Sequence, residues 1–321
     1  MNDIKKICNA TNLKYLAIVL MFLDHIHQMF ADMGAPTWLT MLGRLVFPIF
    51  LFLAADSFHF THDRMAYLRR LLYMSWFMTI GNTIIGSIFH NGSIGLTNNA
   101  FSTFFITGIF ICSWDLLAKG LRDKSNKELI QGIGVFLLPI LSSIPVVILA
   151  GIFETPHANP LLVQIVAFIL SLVPSIIMVE GGFVMVILGL LFYIFRTNRI
   201  AQIIVLAVIS VIAHLFDPTG VQWMMVFAAI PMYFYNGERG SGNKNFFYIF
   251  RTNRMAQIIV LVVISVIAHL FDPTGVQWMM IFAAIPMYFY NGERGSGNKN
   301  FFYIFYPAHI YLLWILASLF R

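Results

Sequence analysis

Apolar runs of about twenty residues recur along this chain, and nothing else in it limits the fold so tightly. About 20 apolar residues carry a helix across the hydrocarbon of a bilayer, and lipid offers the backbone no partners, so such runs close their own hydrogen bonds. The first run is Leu13 to Ala31, followed by Trp38 to Phe58, Tyr67 to Phe89, Ala100 to Leu117, Leu129 to Phe153, Leu161 to Val179 and Phe183 to Phe195. Pro48, Pro139, Pro145 and Pro174 stand inside them, where proline predicts kinks whose freed carbonyls are satisfied by neighbours. Composition agrees: 59% of residues are hydrophobic and 11% charged, against about a quarter charged in an ordinary soluble chain. That excludes a soluble enzyme, a disordered chain, a nucleic-acid binder and a disulfide scaffold. The excess of Lys and Arg over Asp and Glu, 20 to 14, reads as loop charge facing anionic headgroups. Cys8 and Cys112 match no metal spacing. Met1 to Asn12 is polar and no small-residue cleavage site follows, so no cleavable signal is expected.

From Phe192 the chain copies itself. Phe192 to Phe246 recurs as Phe247 to Phe301, a 55-residue period with three differences: Ile200/Met255, Ala207/Val262 and Val226/Ile281. Solenoid repeats diverge because each packs differently; these have scarcely diverged, which points to a recent duplication, an engineered insertion or an assembly error. Each copy holds two apolar runs, Ile200 to Phe216 and Val221 to Tyr235 in the first, so the extra copy adds a hairpin and leaves downstream orientation unchanged. Phe302 to Phe320 closes the chain. The expected fold is an all-α polytopic transmembrane bundle forming a single domain over residues 1–321, with about twelve spans, ten without the extra hairpin.

Loop charge orients it. Lys5 and Lys6 precede the first span, Arg64, Arg69 and Arg70 follow the second, and Lys119, Arg122, Lys124 and Lys127 follow the fourth. The loops between lack Lys and Arg, which puts the amino terminus in the cytoplasm. Arg196, Arg199, Arg239 and Lys244 belong there too, yet three runs separate Lys127 from Arg196 where an even number of crossings is needed. Either Leu161 to Phe195 is one broken unit or the rule is overridden.

Ionisable side chains at mid-bilayer cost at least about 2.5–3.5 kcal/mol, so those that persist are candidates for function. The first run holds Asp24, His25 and His27. Lys14 and His25 nearly eclipse on a helix, about 16 Å apart along its axis, and Asp24 and His27 form an i,i+3 pair. A carboxylate there would orient an imidazole, the usual general base; equally, all three sit at a wet headgroup boundary. Arg44 in the second run pairs inside the bundle or binds an anion, with Asp24 as a candidate partner, and Asp56 lies near that run's far end. Glu180 precedes Gly181 and Gly182 and is read as a turn or a buried acid. His214 and Asp217 belong to an HLFDPTG segment read as a tight loop, with copies at His269 and Asp272. Tyr306 and His309 open the last helix.

LKYLAIVLMFLDHIH, LGRLVFPIFLFLAADSFHFT, YLRRLL and FYIFYPAHIYLL together closely resemble the TraX family, conjugal-transfer proteins associated with acetylation of the pilin amino terminus. The resemblance is strong over Leu13 to Leu72 and Gln222 to Leu313, with one repeat copy surplus. It extends to membrane acyltransferases of sugars, which carry an arginine, ten residues, then a histidine in their first helix. Lys14 and His25 stand in that register, with lysine replacing arginine. Phe47 and Pro48 resemble a pair in transmembrane sugar N-acetyltransferases.

The resemblance implies an acyltransferase of the inner (cytoplasmic) membrane that moves an acetyl group from acetyl-CoA, or another acyl-CoA, to an amine or hydroxyl. Acceptors would be a peptide amino terminus, a surface sugar or a small metabolite. His25 would be the base, oriented by Asp24 or His27, and Arg44 would stabilise negative charge or clamp Asp24. Lys14, Arg64, Arg69 and Arg70 would receive the CoA phosphates. Asp56, Glu180, Tyr306 and His309 would support or bind substrate, and no metal is expected. The surplus copy packs at the periphery, displaces its twin or binds another chain, which leaves room for a homo-oligomer. The rival reading is a transporter with Asp24, His25, Arg44 and Glu180 as a relay; the direct repeat, unlike an inverted one, lends it no support.

Overall fold

The computed structural model describes residues 9–91, 95–153, 159–238 and 301–320. The second repeat copy falls outside them, apart from its last residue. Elsewhere each expected apolar run contains a helix, and no strand occurs among the described residues. Six helical segments are long and apolar enough to cross a membrane, and four more are apolar but shorter. The expected count of about twelve includes the two runs of the second repeat copy, which lie outside the described residues.

Backbone contacts divide the chain into two compact units, Met1–Phe50 with Leu206–His309, and Leu51–Val205 with Ile310–Arg321. In the first unit, α1 (Ala10–Phe30) starts where the Asn9 side chain accepts the Asn12 N–H, an N-cap of the usual kind. The Ala10 N–H is taken by the Glu238 carbonyl at 2.9 Å, so the end of the first repeat copy sits at the start of α1. Leu13, Ala17, Met21, His25 and Met29 recur every four residues on the buried face of α1; Val19 and Phe22 point outward. His25 thus occupies a core position of its helix. A short 3₁₀ turn, Ala31–Met33, ends at Gly34 with φ 91°, where a side chain would be strained, and the chain reverses into α2 (Trp38–Gly43).

The second run is not one helix. α2 ends at Arg44, and α3 (Val46–His59) starts two residues on. Proline at 48 has no N–H for the Arg44 carbonyl, and its ring crowds that group, so the helix parts there. The break leaves Arg44 at a helix end facing α1. The unit is completed by the 3₁₀ segment Gln222–Ala228 and short α11 (Ala229–Phe234), with parts of α10 (Arg199–Phe216) and α12 (Phe301–Leu319). α3, α10 and α12 each run from one unit into the other. Asp217 takes the Gly220 N–H and Thr219 hydroxyl, the tight loop expected of it, while His214 lies in the last turn of α10 with its ring edge toward Trp223.

The second unit is built on α4 (Arg64–Ile88), α5 (Ala100–Asp123) and α6 (Asn126–Leu141), followed by α7 (Ile144–Phe153), α8 (Pro160–Ser171) and α9 (Gly182–Ile194). α9 packs closely on α5 because residue 189 is glycine: a Cβ there would overlap the Thr107 methyl. Small residues at such crossings matter in lipid, where helices associate through close packing. The break between α6 and α7 precedes Pro145, and the Pro139 carbonyl is met by the Ser142 and Ser143 hydroxyls and the Ile176 N–H, each at 3.1 Å. Those are the substitute partners expected for a kinked membrane helix.

This unit has a basic end. Asp115 on α5 joins Arg64 at the start of α4 to Tyr193 at the end of α9, so those three helix ends lie together. The α5–α6 turn with Lys119, Arg122, Lys124 and Lys127 lies at that end, as do Arg196 and Arg199. At the opposite end Asn99 bonds Ser75 and Glu180, and no Lys or Arg occurs there among the described residues. α7 and α8 form an excursion whose two feet are tied together, the Ser142 hydroxyl donating to the Pro174 carbonyl at 3.1 Å. The run from Leu161 to Val179 is helical only in α8, of 12 residues, about 18 Å at 1.5 Å per residue.

Candidate functional site

Five candidates meet in the first unit. Asp24 projects from α1 toward the end of α2, where an Arg44 terminal nitrogen (Nη2) donates to its two carboxylate oxygens at 3.0 and 3.3 Å. Thr40, one turn before Arg44, donates its hydroxyl to Asp24 Oδ1 at 2.7 Å and accepts from Arg44 Nη2 at 2.8 Å. Arg44 Nε reaches the Thr40 carbonyl at 3.2 Å, and Nη1 reaches Gln222 Oε1 at 3.0 Å. The guanidinium is thus held on three sides by carboxylate, threonine and amide. Both charged side chains are mostly buried, 20% exposed for Asp24 and 29% for Arg44. Leaving one such charge without the other costs about 3–5 kcal/mol, which makes Arg44 first of all the clamp on Asp24. The approach needs glycine at 43, since a Cβ would overlap the Asp24 carboxylate.

One residue along α1, His25 turns the other way, into the core. Its Nδ1 lies 2.6 Å from His309 Nε2 on α12, and the two ring planes are only 22° apart with centroids 4.8 Å apart, so the rings meet edge to edge. Each histidine is 4% exposed. Tyr306, one turn before His309, sets its ring against His25 edge to face, and Phe22 and Phe305 flank His309. His309 Nδ1 lies 2.6 Å from the Phe305 carbonyl. The wet-boundary reading fails for His25, which is buried, and Asp24 is held by Arg44.

The other candidates lie elsewhere. His27 Nδ1 donates to the Ala35 carbonyl at 3.0 Å and so fastens the turn after α1; it is not beside His25's partner. Lys14 is half-buried near the start of α1, about 16 Å along the axis from His25 on a continuous helix. Arg64, expected to receive phosphate, is committed to Asp115 at 2.6 Å and to the Tyr193 hydroxyl at 3.2 Å. Arg69 and Arg70 are exposed on α4. Asp56 lies on α3 within the second unit. Glu180 accepts the Asn99 N–H at 2.6 Å and acts at the start of α5, where the helix dipole favours a carboxylate.

Thr40, Gln222, Asp115 and Tyr193 escaped the reading of the sequence. Thr40 stands four residues before Arg44, a helical neighbour, and was visible. Asp115 is a lone acid in an apolar run, the same signal that singled out Asp24. Gln222 and Tyr193 act across 178 and 78 residues of sequence and carry no local mark.

Bundled apolar helices with paired ionisable side chains and two hydrogen-bonded histidines inside define a membrane-type helical protein with a buried polar centre. The family model of the TraX protein matches residues 9–265, four-fifths of the chain, and the chain belongs to that family. The match runs through α1 to α11 and ends inside the second repeat copy, short of α12 with Tyr306 and His309. No curated protein and no solved structure matches the chain.

Proposed function

We propose that this protein is an integral membrane acyltransferase that moves an acetyl group from acetyl-CoA to an amine or hydroxyl. One observation carries the reading: a histidine in the core of the first helix, hydrogen-bonded to a second histidine and adjacent to an acid already neutralised by arginine. A positioned imidazole is the usual general base, and the family's association with pilin acetylation supplies the reaction class. His25 takes the proton from the acceptor N–H or O–H. The freed lone pair attacks the thioester carbonyl carbon, the carbon–sulfur bond breaks, and the departing CoA sulfur takes the proton back from His25. The Asp24–Arg44 pair is electrically closed and holds α1 against α2, so its role is to position His25.

CoA is a polyanion, and Lys14, on the same helix as His25, is a cation suited to its phosphates. The basic end of the second unit, with the exposed Arg69 and Arg70, faces the cytoplasm under this reading. The acceptor belongs to one of three classes: a peptide amino terminus, a surface sugar or a small metabolite.

The test is transfer of label from [14C]acetyl-CoA by detergent-purified protein to a panel of these acceptors. Labelled acceptor in the wild type and none with His25→Ala is expected. A folded wild type that binds no acetyl-CoA at millimolar concentration contradicts the proposal.

A further inference from the structure

We infer that His309 is a positioning residue: it holds His25 in the tautomer protonated on Nδ1, so that Nε2 is the basic nitrogen of the site. The inference rests on the reading of His25 as base and adds which nitrogen acts and what fixes it.

The chain of reasoning starts at a backbone carbonyl. The Phe305 oxygen has lone pairs only, so His309 Nδ1, 2.6 Å away, must carry the hydrogen. A neutral imidazole has one N–H, and His309 Nε2 is therefore an acceptor. His25 Nδ1 faces that nitrogen at 2.6 Å; two lone pairs would repel, so the proton sits on His25 Nδ1. The remaining nitrogen of His25, Nε2, then holds the lone pair. Turning either ring over would replace a contacting nitrogen with carbon and lose the bond. With both rings 4% exposed, water does not compete for these positions.

The arrangement performs with a histidine and a carbonyl what the catalytic triad performs with a carboxylate: it selects the tautomer and orients the ring. When Nε2 takes the acceptor's proton, the positive charge on His25 is shared through its Nδ1–H with the neutral His309 ring, whose own Nδ1–H remains on Phe305. No net charge is stored in the apolar core between turnovers, unlike a site that pairs the base with a carboxylate. Asp24 cannot take that role while it is bound to Arg44 and Thr40.

The test uses full-length protein labelled with 15N-histidine, in detergent, with His25→Ala to assign the His25 signals. The wild type is expected to show His25 protonated on Nδ1 and bare on Nε2. His309→Leu should abolish that preference and lower kcat by about 10²–10⁴-fold, the share of a general base, with KM little changed. His309→Gln places an amide oxygen where Nε2 stood and should restore both the tautomer and at least a tenth of the rate. His25 protonated on Nε2 in the wild type, or unaltered by His309→Leu, overturns the inference even if acyl transfer is intact. The expected tautomer in a protein that transfers no acyl group supports the positioning role and overturns the acyltransferase reading.

Discussion

At the scale of single residues, the charged pair and the histidine pair have different jobs and fail differently. Asp24→Ala or Arg44→Ala leaves a lone charge in an apolar setting and should cost about 3–5 kcal/mol, read as a loss of thermal stability in detergent. Asp24→Asn together with Arg44→Gln removes both charges while keeping hydrogen-bonding groups, and should recover more than half of that loss. Two independent, additive losses would show that the pair is not coupled. His25→Ala should abolish transfer while lowering the melting temperature less than the single charge deletions, through the cavity and the lost bond to His309, whereas His27→Ala should retain most of the activity. The sequence made these four residues visible because an ionisable group in an apolar run has few bland explanations. It left His25 and His27 equivalent, because their distinction lies in partners: the Ala35 carbonyl for one, His309 for the other, 284 positions away.

At the scale of elements, helix breaks and close crossings put these side chains in place. Pro48 frees the Arg44 carbonyl and ends α2 there; glycine at 43 lets α2 approach α1 within reach of Asp24. Gly43→Val should push the two helices apart, separate Asp24 from Arg44 and lower activity with the loss of stability seen for the single charge deletions; a silent substitution would mean the crossing is looser than described. In the second unit, Tyr193→Phe removes the hydroxyl shared between Arg64 and Asp115 and should lower stability by about 1–3 kcal/mol, the cost of a broken hydrogen bond to charged groups, with acetyl-CoA affinity unchanged. Helix positions were legible from hydropathy throughout. The breaks were half legible, since proline marks where a bond is missing but not which neighbour replaces it. The α7–α8 excursion was illegible: its short helices have the hydropathy of a span, and the bonds from Ser142 to Pro174 and from Ile176 to Pro139 show that the chain returns to its starting point.

At the scale of the whole molecule, the basic end of the second unit and the repeat each give a prediction. With Cys8 and Cys112 replaced by serine, a single cysteine at Lys124 should be labelled by an impermeant thiol reagent only from the cytoplasmic side, and one at His90 only from the other side. The reverse pattern would invert the orientation of the protein. The first repeat copy supplies Gln222 to Arg44 and the Glu238 carbonyl to α1. Deleting Phe247 to Phe301 should leave expression and activity within about twofold, because the even number of runs removed keeps α12 oriented. Collapse of expression would show that both copies are integrated. The sequence disclosed this duplication plainly and disclosed nothing about which copy is used, since the two differ at only three positions and local sequence is all that such a comparison weighs.

The central claim is that His25 performs acyl-CoA chemistry. It is tested most directly by following release of free CoA thiol from acetyl-CoA, in detergent-purified wild type and His25→Ala matched for folding by melting curve and for acetyl-CoA binding by calorimetry. The account predicts equal binding in both, slow thiol release by the wild type that accelerates when an amine-bearing peptide is added, and none by the variant. Equal thiol release by wild type and His25→Ala would contradict it.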